Sequence, residues 1–194
     1  MVNVEARWLT ARCSGWRLRA AAERVIVGRT ESTMLPSWKT IEYRGGLVRF
    51  RIPFDWVEEY EADGGGAFYA EKPDSGTLRL NVMTLRSPSP IDARTTEELL
   101  RPRAQSRGLS VRPLPGGNAS ISYSEAAEED GVALVIHYWE VANAIPPFHA
   151  RIAVFSFTTL ASEKKGISDD LEWLDLEICA STFASALGVA ADES

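Results

Sequence analysis

The chain has 194 residues, a formal net charge of −6, 45% hydrophobic and 25% charged residues. That is enough apolar material for one packed domain, and the acidic balance argues against a nucleic-acid binder, which needs clustered Lys and Arg against phosphate. The sequence contains no apolar run of roughly 18 residues, so no membrane insertion is expected.

Residues 1–33 carry six Arg against three Glu, a balance of +3, which leaves −9 for the remainder. Trp8, Leu9, Arg12, Trp16 and Arg19 have weak helical spacing, interrupted by Gly15. This segment reads either as an extension upstream of a natural start at Met34, or as a basic tail or helix loosely docked on the domain. Its arginines lack a continuous hydrophobic stretch, so it does not read as a secretory signal. Residues 34–194 then form a single domain.

Strand signals begin after Trp38. Thr40–Tyr43 is short and extended, and Arg44-Gly45-Gly46 is a turn. Leu47–Ile52 alternates apolar and basic residues, which puts Val48, Phe50 and Ile52 on one face and Arg49 and Arg51 on the other. Pro53 cannot donate to a ladder and ends the strand. Two further strands, Trp56–Ala62 and Ala67–Glu71, flank Asp63-Gly64-Gly65-Gly66. Pro73-Asp74-Ser75-Gly76 has turn chemistry and precedes a strand over Thr77–Leu85. A helix is predicted over Thr96–Arg107, capped by a Thr95–Glu98 box, bent or shortened by Pro102 and stopped by Gly108.

The second half predicts strands over Leu109–Leu114, Ala119–Ala127, Val132–Ala142 and His149–Leu160, separated by Pro115-Gly116-Gly117-Asn118, an acidic turn at Glu128-Glu129-Asp130-Gly131, and Pro146-Pro147. The last two strands are apolar on both faces, which implies a sheet covered on both sides. A closing helix is predicted over Ser168–Leu187, capped by Ser168, with Asp169, Asp170 and Glu172 at its positive end and Leu171, Leu174, Ile178, Phe183 and Leu187 in one stripe. The tail from Gly188 should fray. The expected fold is α+β: an antiparallel sheet flanked by helices, an α/β/α sandwich.

The stretch Leu47-Val48-Arg49-Phe50-Arg51-Ile52-Pro53-Phe54-Asp55-Trp56 resembles the opening "apolar strand, Pro, short spacer, Trp" of PsbP-like and DcrB-like domains. Ala153-Val154-Phe155-Ser156-Phe157-Thr158-Thr159, an acidic stretch and a helix ending near Ser181-Thr182-Phe183 are similar to the closing strand and helix of the same group. The resemblance spans about residues 38–187. It implies an α/β/α sandwich that usually works by binding, in a group that includes an extrinsic photosystem subunit, a Ran-binding relative and bacterial adaptors for type VI secretion effectors. The group has no shared catalytic constellation, so the resemblance assigns no functional residue.

The chemistry-bearing residues are sparse. The histidines are His137 and His149, and no Gly-x-Ser-x-Gly elbow is present. His137 reads as a half-buried strand residue or a pocket base, and His149 as a loop histidine. Cys179 reads as a small buried apolar residue of the last helix. Cys13 and Cys179 do not make a disulfide framework, which points to a reducing, cytoplasmic compartment. Asp55, Glu58, Glu59, Glu61 and Asp63 read as a solvated acidic edge in preference to a cation site. The glycine-rich loops lack the Lys-Ser/Thr of a phosphate loop and read as hairpin turns. No metal and no cofactor are expected. Trp56 and Trp173 read as core anchors, and His137, Trp139 and Glu140 as a partner groove.

These readings point to a non-enzymatic binding or adaptor domain. Its partner would be a protein or a peptide, gripped by a sheet face or beside the final helix. The alternative is a small-ligand binding protein or hydrolase-like enzyme using His137 with Glu140 or Glu125. A third possibility is a structural or oligomer-forming role.

Overall fold

Two strands open the fold in a computed structural model that describes residues 37–62, 64–162 and 167–185. The expectations for residues 1–33, Cys13, Asp63, the Ser168 side chain, Leu187 and the tail from Gly188 fall outside them. β1 (Trp38–Tyr43) and β2 (Val48–Pro53) pair antiparallel. The turn between them takes Arg44, Gly45 and Gly46 through positive φ, where glycine meets no Cβ penalty. On β2, Val48, Phe50 and Ile52 are buried while Arg49 and Arg51 are exposed, as the alternation predicts. β3 (Val57–Tyr60) and β4 (Gly66–Tyr69) are shorter than expected, and β5 (Thr77–Arg86) follows.

Helix α1 (Thr95–Ser106) is capped differently from the prediction. Asp92 Oδ1 accepts from the Arg94 N–H at 2.9 Å, and Thr95 Oγ1 accepts from the Asp92 N–H at 3.1 Å. The reciprocal pair is therefore Asp92 with Thr95, one turn ahead of Thr95 with Glu98. Pro102 does not end the helix, which continues to Ser106. Gly108, at φ +67°, does: its N–H donates to the Gln105 carbonyl at 3.1 Å and that of Leu109 to Ala104 at 2.8 Å, a Schellman closure.

The segment predicted as a strand over Leu109–Leu114 reduces to β6 (Arg112–Pro113), because Leu109 and Val111 pack beneath α1 instead. Three long strands follow: β7 (Ala119–Glu129), β8 (Val132–Ile145) and β9 (His149–Leu160). Asp130 and Gly131, at φ 51° and 79°, make the two-residue turn whose twist suits a hairpin. The register of β7 on β8 is one to one, from Ala119 opposite Ala142 to Glu129 opposite Val132.

Helix α2 (Ile167–Cys179) is shorter than the predicted Ser168–Leu187. The chain turns at Ala180-Ser181 and enters β10 (Thr182–Phe183), which pairs with β2, Phe183 opposite Val48. The helical spacing of Phe183 is thus overridden: the open edge of β2 offers ladder bonds, and Thr and Phe suit a strand. The Ala184 N–H extends the pairing to the Leu47 carbonyl at 3.2 Å. The wholly buried Arg151 of β9 donates to the Ala184 carbonyl, tying this segment to the large sheet.

The strands form a three-stranded sheet, β1-β2-β10, and a seven-stranded one, β3-β4-β5-β9-β8-β7-β6, all antiparallel. One face of the large sheet packs on the small sheet and α2: Phe50 lies edge-to-face against Phe68 and Phe155, 5.2 Å each, with Trp139, Val141, Leu174 and Ile178 in the same core. The opposite face packs on α1 through Leu100 and Ala104 against Ala119, Ile121, Ala142 and Ile152. Helices on both faces of an antiparallel sheet make this the expected α+β sandwich, with the small sheet sharing one outer layer. The covering of β8 is uneven. It is buried on both faces from Trp139 to Ala142, but from Val132 to Tyr138 its residues are half-buried or exposed, which corrects the expectation of two-sided burial along its length.

Leu100 is fully buried, whereas Leu176 on α2 is 64% exposed. Leu100→Ala should cost about 2–5 kcal/mol in urea unfolding, and Leu176→Ala less than about 0.5 kcal/mol.

Candidate functional site

Strand alternation separates the residues that the sequence groups into one groove. Trp139 is 4% exposed and sits in the main core, its Nε1 donating to Asp175 Oδ1 at 2.9 Å. Glu140, equally buried, points to the other face, where it accepts from Arg103 and, at 3.2 Å, from the Tyr123 hydroxyl. His137 shares the face of Trp139, half-buried, with Nδ1 2.7 Å from Ser124 Oγ. No single groove holds all three residues. Glu125 pairs with Arg107 at 3.5 Å and stands opposite Ile136. Both carboxylates named as partners for His137 therefore lie on the other face, and its neighbour is a serine.

Two polar clusters fix the helices on the sheet. On the α2 side, Arg112 of β6 grips both oxygens of Asp175 at 2.9 and 3.0 Å, and contacts Cys179 and, at 3.3 Å, Ser120. Burial alone would raise the Asp175 carboxyl, but hydrogen bonds from Arg112 and Trp139 outweigh it and hold the group below the ordinary carboxylate range. Cys179 is half-buried, and burial and Asp175 push its thiol up, away from a nucleophilic thiolate. On the α1 side, the Arg107 guanidinium lies 4.3 Å from the centre of the Tyr123 ring, which stacks on Tyr138 at 5.0 Å. Burial and the Glu140 charge raise the Tyr123 hydroxyl well above its usual value.

The acidic residues near the β3–β4 loop are individually partnered: Glu58 with Lys39 at 2.9 Å, Glu59 with the Tyr69 hydroxyl at 2.6 Å, Glu61 with Arg79 at 3.4 Å. Among the described residues no three His, Cys, Asp or Glu side chains cluster as cation ligands would. An open cleft of about 490 Å³ lies between the β1–β2 turn and the β3–β4 loop, lined by Tyr43, Arg44, Tyr60 and Glu61. The Gly64–Gly66 stretch is a turn, closed by the Glu61 N–H on the Gly65 carbonyl at 2.9 Å. His149 opens β9. Trp56 and Trp173 are core anchors, edge-to-face at 5.4 Å.

Beyond α1 the large sheet has a bare stretch among the described residues. Tyr123, Leu134, Ile136, Tyr138 and Leu160 share its α1 face, all half-buried; Tyr123 packs against the α1 core, and the other four belong to neither buried cluster. The sequence does not advertise this surface, because the same alternation describes a strand covered on both sides. The nearest sequence signal is the length of β8 against the shorter span of helix available to cover it.

No family model and no curated protein matches this chain. Among solved structures it is similar to a protein from Bacteroides thetaiotaomicron VPI-5482, 16% identical with a TM-score of 0.54, over 75% of this chain but only 48% of that one. It is also similar to LpqN of Mycobacterium tuberculosis, described as involved in cell envelope biogenesis, 14% identical with a TM-score of 0.54, over 76% of this chain and 91% of that one. A PsbP from the cyanobacterium Synechocystis sp. PCC 6803 matches at 12% identity and a TM-score of 0.34, over 81% of this chain and 99% of that one. The PsbP-like resemblance is loose and is one of fold. No described helix is long and apolar enough to cross a membrane.

Removing the acceptor shared by Trp139 and Arg112 strands a buried N–H, so Asp175→Ala should cost about 1–3 kcal/mol, and Asp175→Asn, whose amide oxygen still accepts, less. Burial holds the His137 imidazole below its ordinary pKa of about 6.5. The folded chain then binds this proton less readily than the unfolded one. Stability is full above pH 6.5 and falls on acidification through the window beneath it. Urea unfolding followed from pH 7 to pH 5 should show this loss, reduced in His137→Gln.

Proposed function

We propose that this chain is a non-enzymatic binding or adaptor domain for a protein or peptide, and that the partner docks on the bare part of the large sheet. The observation that carries this is the half-buried apolar and aromatic surface of Leu134, Ile136, Tyr138 and Leu160, with Tyr123 at its α1 margin, on strands held in register by the β7–β8–β9 ladder. Contiguous apolar surface that no helix seals over is where partners dock, and tyrosine binds through a large, stiff, amphipathic ring. Arg107 and Glu125 at its margin supply a polar rim. A cytoplasmic location belongs to the same reading and rests on the cysteine count alone.

The test is capture of partners from a lysate by wild type and by Ile136→Thr/Tyr138→Thr, which keeps strand-forming residues while removing the apolar surface. A partner bound saturably by wild type should bind the double variant at least roughly tenfold more weakly, and Leu176→Ala on the remote helix equally well. A partner held equally by all three proteins would remove this surface from consideration.

A further inference from the structure

The outer edge of β7 is largely unpaired among the described residues. The large sheet ends on one side in β3, which has four residues, and on the other in β6, which has two. β6 covers only Ala119 and Ser120. From Ile121 to Glu129, β7 has no outer neighbour among the described residues.

The direction of its free backbone groups follows from the hairpin. A two-residue turn is flanked by a hydrogen-bonded pair, here Glu129 with Val132, and bonded and non-bonded pairs then alternate. Ser122, Ser124, Ala126 and Glu128 therefore point both N–H and C=O away from β8. The pairing of Ser120 with Arg112 on that same outer side has the same parity. Natural sheets protect such edges with bulges, prolines, charged side chains, covering loops or short length, and among the described residues only the charge is present on β7. Here the register is unbroken, the edge holds no proline, and the four outward residues are small or exposed.

We propose that this edge is a strand-addition site, and that its occupant is an extended, basic segment of a partner protein. The proposal rests on the reading of the chain as a binding domain and specifies how it grips. Main-chain ladder bonds supply the affinity in this mode, and side chains flanking the edge supply the choice of partner. Glu125, Glu128, Glu129 and Asp130 are all exposed along the edge and its turn, with Arg107 as the cation beside them. An incoming strand bearing Lys or Arg at alternate positions complements that charge. A second copy of this chain would bring the same acids to the same edge, so self-pairing is opposed.

The probe is a fluorescein-labelled peptide of alternating Lys and Val, titrated into the full chain and followed by anisotropy. Two controls separate ladder formation from charge attraction: the same peptide N-methylated at every backbone nitrogen, which blocks both of its edges and keeps its charge, and Ala126→Pro, which removes one outward N–H without touching the β7–β8 ladder. Circular dichroism and urea unfolding check that Ala126→Pro retains the fold, and Ser122→Pro serves as a second edge variant. The proposal expects saturable binding to wild type, weakened at least about tenfold by N-methylation and by either proline. Equal binding of the N-methylated peptide, or equal binding to both proline variants, would mean charge attraction alone and would overturn the strand-addition site. So would failure of the Lys-Val peptide to bind wild type. None of these three results touches the binding-domain reading, which the sheet-face variants test separately.

Discussion

Strand β8 has to satisfy two different coverings within four residues. Trp139 and Val141 enter the core beneath α2 and the small sheet, while Glu140 and Ala142 face α1. A slip of one residue would drive Glu140 into the main core and Trp139 under α1, so register here is strongly specified. The two-residue turn at Asp130-Gly131 and the continuous pairing with β9 hold that register. The placement of both helices depends on it.

The polar ties at each helix act through orientation more than through energy. Asp175 accepts at once from Trp139 on β8 and Arg112 on β6, which fixes α2 against two separate strands. Glu140 does the same for α1 through Arg103, with the Tyr123 hydroxyl completing its bonding. Replacing such a pair by apolar residues need not destabilise a protein, whereas breaking one partner leaves a buried group unsatisfied. Their consequence is a defined angle and position for each helix. That position decides how much of the sheet remains bare.

What the sequence reveals is the part governed by period two. Val48, Phe50 and Ile52 against Arg49 and Arg51, and Ala153, Phe155 and Phe157 against Ile152 and Val154, read correctly because each strand's environment is uniform along its length. The failures fall where tertiary context overrides local pattern. Phe183 has helical spacing from α2 but is recruited by the open edge of β2. Leu109 and Val111 resemble a strand but fill the space beneath α1. The grouping of His137, Trp139 and Glu140 rests on sequence proximity, which strand alternation contradicts. Helix length limits how far β8 is covered, and no residue within β8 encodes that limit.

The bare part of the sheet therefore combines two properties that usually oppose each other. Surface that lacks a packed layer is ordinarily mobile, because few buried contacts hold it. Here the ladder compensates: β8 stays paired with β9 out to Leu134 opposite Leu160, and with β7 out to Val132 opposite Glu129. The Tyr123–Tyr138 stack and the Arg107 guanidinium above it stiffen the base of the same surface. A partner meeting this region would find its side chains already displayed in register, and little ordering entropy would remain to be lost on binding. A sheet that no described helix covers, held by its ladder and by the Tyr123–Tyr138 stack, is thus a better docking platform than a loop of the same area, and it follows from the same register that places the two helices.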